Sequence, residues 1–227
     1  MLWLEGLWIP DGDSQLFEGL QANVKAYKRP VVDGRIAWRY DRILAALEFL
    51  PEDRRRMCID VGAHIGLWTR WLAREFKLTI AFEPIERHRE CLVKNLISDY
   101  GLVQIQDTAL GDCLNTIEMV TEFKVSGRSH VRVDDDPPGV LVDMVPLDIY
   151  DLREIDLIKI DVEGFEARVL QGARNTIKRW KPVIVVEQLG HEQRYGEDKY
   201  NALELLFSWG AKELRPNMKG DYYLGWT

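Results

Sequence analysis

The feature that most restricts how this chain can fold is an alternation of short apolar runs with helical stretches. MCIDV (57–61), LTIAFE (78–83) and LVQIQ (102–106) read as strands, and Gly66–Phe76 and Glu86–Asp99 between them read as helices. Strands and helices of these lengths in alternation build parallel βαβ units. The rhythm resumes with a strand at IDLIKID (155–161), a helix over Phe165–Arg179, a strand at PVIVVEQ (182–188) and a helix over Tyr200–Trp209. KELRP (212–216) and DYYLGW (221–226) flank Asn217–Gly220 as two strands of a hairpin. Residues 114–147 interrupt it: NTIEMVTEF and GVLVDMVPL read as antiparallel strands around a polar loop, Lys124–Gly139. Upstream, YDRILAALEFL (40–50) sets Ile43, Leu44, Leu47 and Leu50 on one helical face. Residues 1–35 carry turn signals at Pro10-Asp11-Gly12 and Asp33-Gly34 and are expected to be irregular. The expected fold is α/β: a doubly wound, mostly parallel sheet of about seven strands with an inserted β-hairpin over residues 40–227, preceded by a cap segment at 1–39.

At 227 residues the chain is long enough for one sizeable core, and 46% hydrophobic with 30% charged residues is a folded, not a disordered, composition. Thirty Lys and Arg against 37 Asp and Glu give a net charge of −7, which disfavours a general nucleic-acid binder. The opening MLWLEGLWIPDGD carries Glu5, lacks a basic start and breaks at Pro10, so it reads neither as a signal peptide nor as a membrane span. Cys58, Cys91 and Cys113 are odd in number and far apart, which suits a reducing, cytoplasmic setting. The four histidines have no zinc-type spacing.

In open parallel sheets, ligands bind beyond the carboxyl ends of the strands at the topological switch point. The residues that end each strand are therefore the candidates. The first strand ends in Asp60-Val61-Gly62-Ala63-His64-Ile65-Gly66, where Gly62 permits a tight turn and Gly66 a close helix. A dinucleotide loop has Gly at relative positions 1, 3 and 6. Here Asp stands at the first, with Gly at the third and seventh. A carboxylate there repels a pyrophosphate and suits an ammonium or sulfonium, which points to S-adenosylmethionine (SAM); a plain glycine turn is the bland alternative. Glu83, 17 residues after Gly66, ends the second strand where an acid can accept both ribose hydroxyls, unless it is merely a charge at a helix start. The third strand leads into Asp107-Thr108-Ala109, with Asp107 the candidate partner of the adenine amino group or part of a solvated turn. The fourth delivers Asp161 at its tip, then Glu163 and Glu166; Glu166 reads as a helix-start charge. The fifth ends in Glu187, followed by His191, a residue more often found idle in a loop than in catalysis.

Taken together, IDLIKIDVEGFEARVLQGA (155–173), CIDVGAHIGLWT (58–69) and AFEP (81–84), in order with ALGD (109–112), SGRSH (126–130) and PVIVVE (182–187), resemble the FkbM-type family of SAM-dependent methyltransferases over about residues 40–190. The resemblance implies a class I, Rossmann-like methyltransferase fold and O-methylation of hydroxyls on sugars and small natural products. It sets Asp60, Gly62 and Gly66, with His64 between them, in the cofactor loop and Glu83 at the ribose; Ala109, in the matching ALGD, is a further cofactor-binding candidate. It sets Asp161, Glu163 and Gly164 in the family's hallmark motif, whose Asp lies near the transferred methyl group. Residues 1–35 and the tail after about 190 match no motif, so the acceptor does not carry over.

A hydroxyl acceptor needs alignment and a group to take its proton. Asp161 is the first candidate, with Glu187 and His191 behind it; the same acids can alternatively hold a hard divalent cation that binds a sugar diol. The loop Lys124–Gly139, with Ser126, Arg128, Ser129 and His130, is the expected acceptor lid, a mobile hairpin tip being the alternative. Asp136-Pro137-Pro138-Gly139 resembles the D-P-P-Y motif of adenine methyltransferases, but Gly139 cannot stack a base and the stretch reads as a turn. The expected partner is a small-molecule or glycan acceptor, without general nucleic-acid or membrane binding. A nucleic-acid methyltransferase on the same fold and a non-catalytic SAM-fold binding protein are the competing readings.

Overall fold

The computed structural model describes residues 1–26, 31–32, 35–36, 39–96 and 101–226. The chain opens with a hairpin of β1 (Leu2–Leu4) and β2 (Leu7–Ile9), turned at Glu5 and Gly6, both at positive φ. Two left-handed turn residues match the twist of the flanking strands, so this is a well-formed two-residue connection. Helix α1 (Ser14–Ala26) follows, its first turn capped by Asp13, whose Oδ1 accepts the Leu16 N–H at 2.8 Å. Residues 2–26 are thus ordered elements where the sequence reads as irregular. A two-residue pair, β3 (Val31–Val32) and β4 (Arg35–Ile36), precedes α2 (Tyr40–Leu47); the expected Asp33-Gly34 turn lies outside the described residues.

The main body runs β5 (Met57–Val61), α3 (Thr69–Glu75), β6 (Leu78–Phe82), α4 (Glu86–Asn95) and β7 (Leu102–Gln106). An insert of β8 (Ala109–Leu110), β9 (Asn115–Val120), β10 (His130–Val131) and β11 (Val140–Val145) follows. Then come β12 (Ile155–Ile160), α5 (Glu166–Gly172), α6 (Arg174–Trp180), β13 (Val183–Glu187), α7 (Asn201–Ser208), β14 (Lys212–Met218) and β15 (Asp221–Gly225). Seven strands form one sheet in the order β7-β6-β5-β12-β13-β15-β14, the first five parallel and β15 antiparallel to both neighbours. From β5 the chain winds outward through β6 and β7, then crosses back to β12. The switch point therefore lies between β5 and β12.

The central strands are buried on both faces, as helices on either side of a parallel sheet require. One face carries Ile59, Val61, Ile158, Ile160, Ile184 and Val186 against α5, α6 and α7. The other carries Cys58, Leu157, Val183 and Val185 against α2 and α3. The insert is more than a hairpin: β9 pairs antiparallel with both β10 and β11, and β8 adds parallel to β11, giving a four-stranded sheet. The N-terminal hairpin and α1 pack Leu7, Ile9, Leu16 and Leu20 against Ile65 and Cys91. Asn95 of α4 locks this contact, accepting from Trp8 N–H at 2.7 Å and donating to the carbonyls of Trp8 and Ile65 at 2.9 and 2.8 Å.

Two helices differ from the sequence expectation. The helix expected from Gly66 starts at Thr69, because His64 and Gly66 both have positive φ. The helix expected over Phe165–Arg179 divides at Ala173. There Asp148, from the loop before β12, accepts the N–H groups of Asn175 and Thr176 at 3.0 and 2.8 Å and so caps a second helix start. The helix expected at Glu86–Asp99 runs to Asn95, and its expected last residues lie outside those described. Among the described residues no helix is long and apolar enough to cross a membrane.

Candidate active site

A cavity of about 580 Å³ opens at the carboxyl ends of the parallel strands, over the switch point. The size suits a small-molecule site. Its floor is built by the tight turn after β5. Gly62, at φ +75°, sits so close to β12 that a Cβ would lie 2.0 Å from the Asp161 carbonyl oxygen, which explains the glycine. Past this turn, the backbone N–H of His64 donates to Glu83 Oε2 at 2.8 Å and that of Ile85 to Oε1 at 2.9 Å. His88 Nδ1 lies 3.3 Å from the same Oε1. Burial pushes the Glu83 carboxyl up, but the His88 hydrogen bond and charge, with His64 and the Ile85 N–H, hold it below its ordinary value. Glu83 is therefore a fixed carboxylate in the cavity wall, with acceptor capacity left over.

His64 joins three stretches of chain remote in sequence. Its Nε2 lies 2.8 Å from Ser126 Oγ, and Ser126 donates its hydroxyl to Asp13 Oδ2, which also accepts the Ser126 N–H at 3.0 Å. Since the hydroxyl proton is spent on Asp13, the serine accepts from His64, which fixes the Nε2–H tautomer. Burial and the His88 ring, 4.5 Å away, push the His64 pKa down to about 3 against the pull of Glu83, Asp13 and Asp161. The unfolded chain thus binds a proton that the folded one refuses. This contribution to stability is complete above about pH 6.5 and falls by up to about 2 kcal/mol by pH 5. Melting curves at pH 7 and pH 5 should show a smaller acid loss for His64→Asn, a substitution that tolerates the left-handed backbone. An equal loss in both proteins removes His64 as the source.

The other end of the cavity is acidic. Asp161 follows β12, Glu163 sits in the next turn and Glu187 ends β13. Burial, then the neighbouring acids, push Glu163 up to about 8 and move Glu187 upward as well. His191 Nδ1 is 2.8 Å from Glu163 Oε2, and burial with Arg194 lowers its pKa. Gly164, at φ +104°, lets this turn press on the His191 backbone, 2.5 Å from where a Cβ would be. Glu166 Oε1 accepts the N–H groups of Val162 and Gly164 at 3.1 and 3.0 Å, tying down the same turn from the first position of α5.

Gly62, His64, Glu83, Ala109, Ser126, Arg128, Asp161, Glu163, Glu187 and His191 all line this one cavity. Four other expected site residues do not. Asp60 is fully buried beneath it: Oδ2 accepts from Thr69 Oγ1 at 2.6 Å and Oδ1 lies 3.1 Å from Lys159 Nζ. The ammonium that this carboxylate attracts is the chain's own. Gly66 lies against Leu92 of α4, outside the cavity wall. Asp107 is exposed, and its neighbour Thr108 lines the cavity instead. His130 is buried in the insert, its Nδ1 2.7 Å from the Arg128 carbonyl and its Nε2 3.0 Å from Asp136, so both ring nitrogens are occupied away from the cavity. The Asp136–Gly139 stretch is the connection into β11 and takes no part in the cavity. Sequence reading missed Lys159, Asp13 and His88. Lys159 had a signal, since a lysine inside a strand buried on both faces needs a buried partner, and Asp60 stands directly opposite it on β5.

The sheet order, with the last strand inserted antiparallel beside the fifth, and the cavity at the switch point define a class I methyltransferase domain. The chain belongs to the FkbM methyltransferases: the family profile described as the methyltransferase FkbM domain matches residues 60–213. A solved FkbM methyltransferase from Methylobacillus flagellatus KT is similar at 18% identity and a TM-score of 0.49, over 77% of this chain and 44% of that one. The precorrin-6y C5,15-methyltransferase of Geobacter metallireducens GS-15 is similar at 12% identity and 0.45, over 82% and 87%. An RNA methyltransferase from Salinibacter ruber, in complex with S-adenosyl-L-homocysteine, is similar at 13% identity and 0.42, over 82% and 90%. No curated protein sequence matches the chain significantly.

Proposed function

We propose that this chain transfers a methyl group from SAM to a hydroxyl of a sugar or other small molecule. The observation that carries the reading is a single cavity with a fixed carboxylate, Glu83, at one end and the acids Asp161, Glu163 and Glu187 at the other, joined across the β5–β12 switch point. The wall fits the donor. Phe82, Leu110 and Val162 offer apolar surface, and Glu83 offers a diol-binding carboxylate. When bound, SAM supplies a methyl group on a cationic sulfur, already activated for displacement. The chain's own task is alignment, which can supply much of the barrier reduction, and removal of the hydroxyl proton. Asp161 is the most open of the three acids, its side chain 27% exposed, and stands at the strand tip in the cavity wall. It orients the acceptor hydroxyl and takes its proton as the new C–O bond forms. Glu187 and His191 flank it. Asp161, Glu163 and Glu187 in one wall offer hydrogen-bond partners to hydroxyl groups, which supports a sugar or other hydroxylated small molecule.

Incubating the protein with labelled SAM and pooled glycans, hydroxylated small molecules and RNA tests the reading; label transferred only to RNA overturns the acceptor class. Calorimetry tests the donor site. Wild type should bind SAM and S-adenosylhomocysteine but not NAD, and Glu83→Ala should weaken both by about 1–3 kcal/mol, the scale of a lost charge-assisted hydrogen bond. Unchanged affinity in that variant takes Glu83 out of the site.

A further inference from the structure

The acidic end of the cavity has a geometry that proton transfer alone does not call for. One oxygen from each of Asp161, Glu163 and Glu187 lies within 4.8 Å of the other two. The oxygen shell of a large hard cation, at roughly 2.3–2.6 Å, is about 4.6–5.2 Å across, so three oxygens at these separations fit on one such sphere. The second observation is the state of Glu187. Its residue is only 8% exposed, it faces the cavity, and its carboxylate has neither a hydrogen bond nor an ion pair among the described residues. A buried carboxylate is ordinarily paired or coordinated. The nearest ammonium does not answer the need: Lys159 Nζ is 3.1 Å from Asp60 Oδ1 and donates to the Gly62 carbonyl at 2.8 Å, with Asp161 more distant at 3.8 Å.

We propose that Asp161, Glu163 and Glu187 form a site for a hard divalent cation of about the size of Ca²⁺ or Mn²⁺, which anchors oxygen atoms of the acceptor. The inference rests on the methyltransferase reading for its purpose, not for its geometry. The three strand-tip and turn positions hold the ligands on the rigid part of the fold. Each carboxylate keeps its second oxygen, so Asp161 can coordinate and still receive the hydroxyl proton. The open part of the shell faces the cavity, and two neighbouring hydroxyls of one molecule suit it. The acceptor class is therefore a molecule with adjacent oxygens, a vicinal diol above all.

Titrating Mn²⁺ into the full chain, followed by the loss of the free-ion electron paramagnetic resonance signal, tests the site without any acceptor. Wild type should bind one Mn²⁺ that Ca²⁺ displaces, and Glu187→Gln and Glu163→Gln should each weaken it at least tenfold. Binding of S-adenosylhomocysteine by the same variants reports that they are folded. No Mn²⁺ binding by wild type, or binding that neither substitution weakens, overturns the cation site. If S-adenosylhomocysteine binds wild type while Mn²⁺ does not, the cation site alone falls. If Mn²⁺ binds as stated and S-adenosylhomocysteine does not, the methyltransferase reading falls and the site stands.

Discussion

Asp161→Asn should lower the single-turnover rate of methyl transfer by about 10²–10⁴-fold and leave SAM affinity within a few fold. The substitution keeps the shape at the tip of β12 and removes the charge that we propose receives the hydroxyl proton. The split between rate and affinity follows from the geometry, because Asp161 follows β12 while Glu83 follows β6, two places along the sheet. Rapid-quench transfer to the true acceptor, beside calorimetry for SAM, measures both quantities. Near-normal turnover by the Asn variant would make Asp161 a structural residue at a turn and move attention to Glu187 and His191.

Lys159→Met should destabilise the fold by about 3–5 kcal/mol, the usual cost of leaving one partner of a buried ion pair alone. Lys159 and Asp60 face each other across β12 and β5 on the same side of the sheet as Cys58, Leu157 and Val185, where α2 and α3 exclude water. Burial alone lowers the ammonium pKa, but Asp60, Asp161 and Glu187 hold it above its ordinary value. Removing the ammonium strands a carboxylate with no access to solvent. For a chain of this size the loss corresponds to roughly 6–20 °C in melting temperature. The double variant Lys159→Met with Asp60→Asn should recover much of it, because a neutral pair needs no counter-charge. Urea melts of the two proteins check this. A single variant as stable as wild type, or a double variant no better than the single, rejects the account.

The parallel core was readable because burial on both faces writes itself as uninterrupted apolar runs. MCIDV, LTIAF and IDLIKI correspond to β5, β6 and β12 within a residue or so. Local signals also carried the strand-tip acids, since a strand and its first loop residue are adjacent in sequence. What stayed hidden is whatever depends on partners far along the chain. The break at Ala173 is caused by Asp148, and nothing near residue 173 announces it. His130 looked free in a polar loop, yet folding closes that loop onto Asp136 and occupies the ring. Asp60 looked like a ligand for a foreign cation because its partner lies 99 positions later, across a strand register that pattern alone does not fix. The N-terminal hairpin was the exception. Glu5-Gly6 between two apolar triplets is a local turn signal, and only the three-residue length of both strands hides it.

The bond from Asp13 to Ser126, and on to His64, makes the first helix a wall of the cavity, where Gln15, Leu16 and Gly19 face inward. A ligand that contacts Gln15, Leu16 and Gly19 is thereby coupled to the docking of this helix. A molecule that binds only with this wall in position adds its own binding free energy to the docking of residues 1–21. The amide protons of that stretch become a gauge of what fills the cavity, although the segment matches none of the family motifs. The strand-tip acids and the N-terminal helix are thus two parts of one wall, contributed by stretches of chain that can vary separately.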